Sequence, residues 1–261
     1  MSRGSYGEVA PAVATGEAER LRQQVSRLWA REREALRAVG LEPGARLLEV
    51  GCGAGALLGP LTADFAPRLA VGVEIDLENA RRAARVAPVV RGDGAALPFA
   101  DGSFERVLFR FVLRHVRDPA ALLAEARRVL VPGGRVIAVD ADDGTLALDP
   151  EPAAWPALKR ALDQSAQRRG GDPFIGRRLR RLLLEAGLGA PRSAMVPVST
   201  DDVAAPQFVE VFLAPAARPI DSQLLDGDAA QRAWAEVRAW SQRPDAFASA
   251  SGYVASGTKV S

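Results

Sequence analysis

The chain has 261 residues, of which 48% are hydrophobic and 25% are charged, and these proportions exclude a disordered, collagen-like or coiled-coil protein. The net charge of +2 is too small to predict a polyanionic partner. A single cysteine, Cys52, and a single histidine, His115, exclude an intramolecular disulfide and a Cys/His zinc cluster. Because neither a membrane-spanning apolar run of about 20 residues nor a secretory signal is present, we expect a cytoplasmic protein with no membrane partner.

The first forty residues predict a mobile arm followed by one helix. Residues 1–15 are rich in Gly, Ser, Ala and Pro around Tyr6, which is typical of a flexible terminus. Apolar residues then recur at helical spacing among charged ones through residues 16–39, and Gly40 follows as a helix stop. This helix is a candidate lid.

Residues 45–140 alternate between short apolar strands and helical stretches. Five strands are predicted in this order: ARLLEVG, LAVGVEI, residues 87–91, RVLFRFV and RVIAVD. Helices are predicted near residues 56–65, 77–86 and 118–130. Strands joined by helical crossovers form a parallel sheet with helices on both faces, so we expect a doubly wound α/β domain.

Beyond Asp140 the pattern predicts helical cap elements and further strands. Helices are expected over residues 157–168 and 173–187, then a strand MVPVST, a mainly helical stretch to residue 246, and a last strand GYVASGTKV. The predicted sheet therefore has seven strands, five parallel and a C-terminal antiparallel addition. The predicted organisation is an arm and lid helix over 1–40 and one domain over 41–261, with substrate-cap insertions near 141–175 and 200–250.

The segment LLEVGCGAG predicts a ligand-binding loop at the end of the first strand. Gly51, Gly53 and Gly55 alternate at the mouth of a helix, where only glycine permits a tight turn and a close approach of backbone to ligand. The same glycines also fit a loose dinucleotide fingerprint or an ordinary strand-to-helix turn. The neighbouring acidic residues distinguish between these interpretations.

Three acidic residues lie at the ends of three consecutive predicted strands. Glu49 would repel a pyrophosphate and attract an ammonium group. Glu74 ends the second strand, where a carboxylate can accept both hydroxyls of a ribose. Asp93 follows the third strand and could accept a hydrogen bond from an exocyclic adenine amine. The pattern predicts a ligand made of an amino acid, a ribose and an adenine.

In these motifs the sequence resembles the class I S-adenosylmethionine-dependent methyltransferases, specifically the small-molecule branch similar to enzymes of ubiquinone and menaquinone biosynthesis. The resemblance covers residues 45–140 in order: LLEVGCGAG, VGVEID, GDGAALPFADGSFERV and RFVLRHVRDPAALLAEARRVLVPGGRV. It implies a Rossmann-like fold, S-adenosylmethionine as the cofactor, and methyl transfer to an O, N or C atom of a small, apolar metabolite such as a natural product or a quinone.

The resemblance also implies which residues bind the cofactor. They belong to the glycine loop, to the ends of the next three strands and to the pattern E..RL..Q in the first helix: Glu49, Gly51, Cys52, Gly53, Glu74, Ile75, Asp93, Gly94, Arg110 and Gln24. Cys52 fits a small loop residue better than a nucleophile.

Three residues are candidates for the catalytic step. His115 follows the fourth strand at the rim of the expected site, where it could act as a base or simply pack. Asp142 lies in VDADDG after the fifth strand, where a base, a divalent-cation ligand and a turn-capping residue are all open; we predict no resident metal. Tyr6 lies in the arm that could cover the site.

The cap segments and the arm carry aromatic residues that suggest an apolar substrate pocket or a small core of their own: Tyr6, Trp155, Phe174, Phe208, Phe212 and Trp234. Three functions stay open: a small-molecule methyltransferase, which we favour; a cyclase or other non-methylating enzyme that binds the same cofactor; and an RNA- or protein-modifying methyltransferase. The last is disfavoured because RFVLRH stands where enzymes that methylate nucleobase amines carry Asn/Asp-Pro-Pro-aromatic. We expect a small-molecule substrate, no nucleic acid, and a monomer or homodimer.

Overall fold

The structure of the protein is a computed structural model that describes residues 11–213 and 220–260. Tyr6 therefore lies outside the described residues. In the part of the chain that the structure describes, no helix is long and apolar enough to cross a bilayer.

The centre of the fold is a parallel sheet, as the sequence predicts. Its strands are β1 (Arg46–Val50), β2 (Leu69–Glu74), β3 (Val89–Arg91), β4 (Phe104–Arg110) and β5 (Leu130–Ala141). They pair parallel in the order β3-β2-β1-β4-β5. Val50 lies in register with Val73 and Phe109, so β1, β2 and β4 end at one edge of the sheet.

Helices cross over between these strands: α2 (Leu58–Phe65), α3 (Leu77–Ala83) and α4 (Pro119–Val129). Two of them begin at an aspartate cap, which satisfies a backbone N–H that has no partner in the first turn. Asp76 Oδ1 accepts from Asn79 N at 2.8 Å, and Asp118 Oδ1 accepts from Ala121 N at 3.1 Å. Pro119 follows at the first helical position of α4, where its missing N–H costs nothing.

The C-terminal part adds antiparallel strands: β6 (Ala147–Asp149), β7 (Leu188–Ser199) and β8 (Phe247–Lys259). Strand β8 pairs with β5, β7 and β6, all antiparallel. The predicted doubly wound α/β fold is confirmed, with eight strands instead of seven. The additional strand is β6, whose three residues are too few to show an alternating pattern in the sequence.

The remaining helices are α1 (Pro11–Ala38), α5 (Trp155–Arg168), α6 (Leu179–Glu185), α7 (Ala205–Phe208) and α8 (Gly227–Trp240). Helix α1 begins at Pro11, five residues before the predicted start and inside the stretch we expected to be mobile. Helix α6 is shorter than predicted because residues 175–178 form a 3₁₀ turn before it. Helix α7 continues directly into a π-helical turn, Val209–Leu213.

Apolar side chains are buried on both faces of the sheet. Helices α4 and α6 cover one face, where Leu123 and Leu183 are fully buried. Helices α1 and α2 cover the other, where Leu36 and Leu61 are fully buried. A third cluster joins α5, α7 and α8 to β6 and to the middle of α1, and it forms a cap over the carboxyl end of the sheet.

A buried ion pair connects α1 to the end of β4. Glu32 Oε1 accepts from Arg110 Nε at 2.6 Å, and Glu32 Oε2 accepts from the Arg110 guanidinium at 3.0 Å. The two side chains are only 3% and 5% exposed. A two-point contact of this kind fixes the orientation of both groups, and each charge depends on the other because neither is accessible to water.

Replacing Glu32 by Ala is expected to lower the free energy of unfolding by about 3–5 kcal/mol, because it leaves the Arg110 guanidinium buried without its partner. Urea unfolding followed by circular dichroism measures this change. The double variant Glu32→Met with Arg110→Met should be close to the wild-type protein. Glu19→Gln, which breaks the exposed Arg22–Glu19 pair on the same helix, serves as the control and should cause no measurable change. Equal effects of Glu32→Ala and Glu19→Gln would contradict the role we give to the buried pair.

Candidate functional site

The glycine loop after β1 folds back against the end of β2. The backbone N–H groups of Gly51 and Cys52 both donate to Val73 O, at 2.8 and 3.1 Å. The Cys52 side chain points away from the loop surface and packs with Leu58 and Ala83. Burial, and then the nearby carboxylates of the site, raise the pKa of this thiol, so it stays protonated and is a poor nucleophile.

The three glycines of the loop have positive φ angles of 73°, 53° and 81°, but their surroundings differ. A Cβ on Gly51 would lie 2.5 Å from the Val112 side chain, and one on Gly55 would lie 3.0 Å from Ala83 Cα. A Cβ on Gly53 would meet nothing within 4 Å. Gly51 and Gly55 therefore permit close packing, whereas Gly53 turns its backbone toward open space that a ligand can occupy.

Glu74, at the end of β2, is held in place by the loop. Its Oε2 accepts from Gly53 N and its Oε1 accepts from Asp76 N, both at 2.9 Å. Each carboxylate oxygen has about two acceptor positions, so each retains one for a ligand hydroxyl. Burial raises the pKa of Glu74 even though these N–H groups oppose it. The next residue, Ile75, is 55% exposed and offers an apolar surface beside the carboxylate.

Glu49, near the end of β1, is deeply desolvated. It is 3% exposed, and its Oε2 has no hydrogen-bond partner. Burial raises its pKa to about 8; Arg110 opposes this change, while Glu32 and Glu74 add to it. Its carboxyl is therefore mostly protonated at pH 7, and a cation bound beside Oε2 would favour the ionised form.

The loop after β3 approaches the same edge. Asp93 is exposed, and its Oδ1 accepts from Ala95 N at 2.9 Å, which fixes the side chain in a tight turn. A Cβ on Gly94 would lie only 2.8 Å from the Val50 side chain. Glycine at this position lets the loop lie against the end of β1, so Asp93 is close to the glycine loop.

The side chain of Arg110 is engaged by the core. Besides its ion pair with Glu32, its guanidinium lies 4.6 Å from the centroid of the Phe111 ring. Phe111 has a φ of 53°, a left-handed conformation that costs a residue with a Cβ about 1–2 kcal/mol. Gln24, on α1, is 8% exposed, and its Oε1 has no hydrogen-bond partner.

A cavity of about 220 Å³ lies beside the glycine loop, between the ends of β4 and β5 and the cap. Phe111 and Glu32 form part of its wall, and Gly51 is packed against Val112. Phe111 and Val112 therefore lie between the two: Phe111 lines the cavity and Val112 packs against the glycine loop. Apolar residues line much of the remaining wall: Leu28, Leu146, Trp155, Leu162, Val198 and Phe212.

The predicted catalytic residues occupy different positions relative to this cavity. His115 ends a 3₁₀ turn after β4 and lines the cavity. Asp142 also reaches the wall, but its carboxylate accepts from Arg177 and from Gly144 N. Burial opposes ionisation of Asp142, and these hydrogen bonds outweigh it and hold its pKa below the ordinary value. Among the described residues, no three His, Cys, Asp or Glu side chains converge as a metal site would require.

Of the aromatic residues in the cap, Trp155 and Phe212 line the cavity. Phe208 and Trp234 pack in the third core cluster. The ring of Phe174 lies beside Lys159 and Arg177, with the cations 5.5 and 5.7 Å from its centroid. Trp155 and Phe212 also pack in or against the third core cluster, so these two residues belong to the cavity wall and to the core of the cap.

Several polar residues of the cavity were not identified from the sequence: Glu32, Arg114, Lys159 and Asp163. The detectable signal was on α5, where Trp155, Lys159, Leu162 and Asp163 share one helical face. Two charged residues on a face that also carries Trp and Leu indicate that this face is not simply solvated.

The methyltransferase domain family matches residues 48–138 of the chain. An uncharacterised 37.1 kDa protein in transposon Tn4556 of Streptomyces fradiae is 38% identical over 173 residues, which cover 63% of this chain and 49% of that protein. The demethylmenaquinone methyltransferase of Mycobacterium sp. (strain KMS) is 40% identical over 111 residues, or 42% of this chain and 47% of that enzyme. The chain thus spans about half the length of these relatives.

The family match covers most of β1 to β5 and all three strand-end acids, Glu49, Glu74 and Asp93. Residues 48–138 thus belong to the methyltransferase domain family. Solved structures agree with this fold. A methyltransferase of Thermotoga maritima has a TM-score of 0.57 at 21% identity and covers 94% of this chain and 96% of its own. The cyclase SpnF has a TM-score of 0.56 at 19% identity, covering 88% and 80%.

The free energy of unfolding is expected to fall as the pH rises from about 4.5 to 8, with a contribution from Glu49. The unfolded carboxyl ionises near its ordinary value, whereas the folded one stays protonated up to about pH 8. One proton accounts for a slope of at most about 1.4 kcal/mol per pH unit. Urea unfolding at pH 5, 6, 7 and 8 should show a shallower slope for Glu49→Gln than for the wild type.

Glu105→Gln is the control for this measurement, because the backbone N–H of Arg46 lowers the pKa of Glu105 and its titration lies below this range. Parallel pH profiles of the wild type and Glu49→Gln would show that Glu49 is not protonated in the folded protein.

Proposed function

We propose that this protein transfers a methyl group from S-adenosylmethionine to an O, N or C atom of a small, largely apolar metabolite. The observation that carries the proposal is the arrangement around residues 110–112. On one side lies a glycine loop with two desolvated acids, and on the other lies a cavity with mostly apolar walls.

The residues at the sheet edge fit this cofactor. The unpartnered Oε2 of Glu49 suits an α-ammonium group, and the remaining acceptor positions of Glu74 suit the two ribose hydroxyls. Open space above Gly53 allows close approach of the methionine part, and exposed Ile75 with Asp93 and Gly94 suits the adenine. S-adenosylmethionine carries no pyrophosphate, so these residues need no cation to bind one. Their acidic groups would repel a pyrophosphate.

When bound, S-adenosylmethionine supplies an electrophilic methyl group carried on a sulfonium. The contribution of the chain is to orient an acceptor and to exclude water, since in-line displacement depends on alignment and on a dry pocket. Helix α1, helix α5 and the π-helical turn Val209–Leu213 line the cavity and serve as its cover. Gln24, with its unpartnered Oε1 in the cavity wall, contacts the bound ligands from α1.

The acceptor that we propose is a specialised metabolite or a quinol-like compound. The apolar walls from Leu28, Trp155 and Phe212 support it, and so does the name of the demethylmenaquinone methyltransferase relative. His115 lines the cavity and is the proposed base for an acceptor that must lose a proton. Asp142 has its carboxylate committed to Arg177, so we propose that it holds the turn after β5 in place.

The activity test incubates the purified protein with S-adenosylmethionine and a panel of hydroxylated aromatic and terpenoid acceptors. Release of S-adenosylhomocysteine in step with an acceptor mass increase of one methylene unit is the expected result. Acceptor turnover with no S-adenosylhomocysteine would indicate a cyclase or another non-methylating enzyme. Binding of a nicotinamide or flavin in place of S-adenosylhomocysteine would contradict the proposal entirely.

Gly53→Ala is expected to weaken S-adenosylhomocysteine binding at least tenfold in calorimetry, because the new methyl group enters the open space that the ligand requires. Gly44→Ala is a matched control: Gly44 also has a positive φ, of 75°, and a Cβ there also meets nothing within 4 Å, but it lies in the turn before β1. Both variants should lose about 1 kcal/mol of stability. Only Gly53→Ala should lose affinity, and equal affinities of the two variants would remove Gly53 from the site.

A further inference from the structure

The polar part of the cavity wall consists of two ion pairs that face the same space. Arg114, in the turn after β4, donates to Asp143 Oδ2 at 2.7 Å. Lys159 donates to Asp163 Oδ2 at 2.5 Å, and both lie on α5. The four side chains are between 15% and 30% exposed, so each pair is largely withdrawn from water while still reaching the cavity.

The two pairs also act on each other electrostatically. Burial raises the pKa of Asp163 although Lys159 opposes the change, and the more distant Asp143 and Arg114 act in opposite directions. The quartet thus carries alternating charges and no net charge. Including it, the described cavity wall has four basic residues (Arg20, Arg114, Lys159 and Arg169) and four acidic ones (Glu32, Asp142, Asp143 and Asp163).

This charge arrangement distinguishes between classes of ligand. A phosphate or diphosphate would be attracted by Lys159 and Arg114 but repelled at similar range by Asp163 and Asp143. A pure hydrocarbon would leave the charged groups desolvated and their remaining hydrogen-bonding capacity unused.

A hydroxyl group can form hydrogen bonds with both members of the Lys159–Asp163 pair. The ammonium has three N–H donors, of which Asp163 takes one, and the carboxylate has about four acceptor positions, of which Lys159 occupies one. A hydroxyl oxygen can accept from Lys159 while its O–H donates to Asp163, without breaking the ion pair. The apolar walls on the other sides of the cavity suit the body of such a molecule.

We propose that the Lys159–Asp163 pair, supported by Arg114 and Asp143, is a specificity-determining site that selects a neutral, hydroxyl-bearing apolar acceptor and rejects phosphorylated ones. This inference rests on the proposed function, because it assigns the substrate class of the same cavity. The pair acts by recognition, and the hydroxyl it binds need not be the atom that is methylated.

The test uses three probes that share one ring system: 2-naphthol, naphthalene and 2-naphthyl phosphate. Their dissociation constants are measured by equilibrium dialysis at pH 7, with and without S-adenosylhomocysteine. The wild-type protein should bind 2-naphthol most tightly and 2-naphthyl phosphate most weakly. In the double variant Lys159→Met with Asp163→Leu, the preference for 2-naphthol over naphthalene should fall about tenfold.

A matched control is available on α6, where Arg181 and Glu185 form an ion pair with the same four-residue spacing but 65% and 60% exposed. Arg181→Met with Glu185→Leu should leave all three dissociation constants unchanged. Leu162→Trp, which fills the cavity, should weaken all three probes together and so verify that they bind there. If the α5 double variant does not fold, the shape-conserving Asp163→Asn and Lys159→Gln should each lower the preference about threefold.

Three outcomes would overturn the inference: an unchanged preference in the α5 variants, tightest binding of 2-naphthyl phosphate, or no effect of Leu162→Trp. Calorimetry with S-adenosylhomocysteine on the same preparations separates the two proposals. Failure of the wild type to bind S-adenosylhomocysteine would contradict the proposed function. Normal binding of it, together with an unchanged probe preference in the α5 variants, would contradict only the role of the Lys159–Asp163 pair.

Discussion

The buried ion pair between Glu32 and Arg110 is the interaction on which the rest of the site depends. It joins α1 to the end of β4 across 78 positions of sequence, with both charges withdrawn from water. Because burying either charge without the other is costly, the pair fixes the position of α1 relative to the end of β4. Helix α1 covers the cavity, and the end of β4 lies beside the glycine loop. Arg110 also faces Glu49, whose remaining carboxylate oxygen has no partner. One guanidinium thus lies between the Glu49 carboxyl and the cavity wall at Glu32.

Desolvated acids give this edge of the sheet its electrostatic character. Burial raises the pKa of Glu49 to about 8 and that of Asp140, at the end of β5, to about 7. Because parallel strands end at the same edge of a sheet, the topology places these carboxyl groups near each other even where no basic residue balances their charge. Around Glu49 the acids Glu32 and Glu74 outnumber the one base, Arg110. In the cavity wall, by contrast, acids and bases are equal in number. The two neighbouring regions therefore differ in electrostatic character.

Features that depend on neighbouring residues could be predicted from the sequence, whereas features that depend on contacts between distant residues could not. The five parallel strands were predicted because the periodicity of apolar residues is a local signal. The start of α1 was missed because Ala, Pro and Gly near residue 11 read as a flexible terminus. The role of Lys159 was missed because lysine has the same local pattern on a solvated helix as on a cavity wall, and only the packing of α5 against the rest of the cap distinguishes the two cases.

By itself, the sequence determined the order of strands and helices through residue 140, the glycine loop, and the acids Glu49, Glu74 and Asp93 at consecutive strand ends. These features are encoded within a few residues of each other, and the parallel topology then brings them to one edge. Tertiary structure alone decided that Glu32 is the partner of Arg110, that Asp142 is engaged by Arg177, and that Trp155, unlike Trp234, lines the cavity. Those outcomes depend on which distant surfaces come into contact, and burial then sets the charge state and the free hydrogen-bonding capacity of every group.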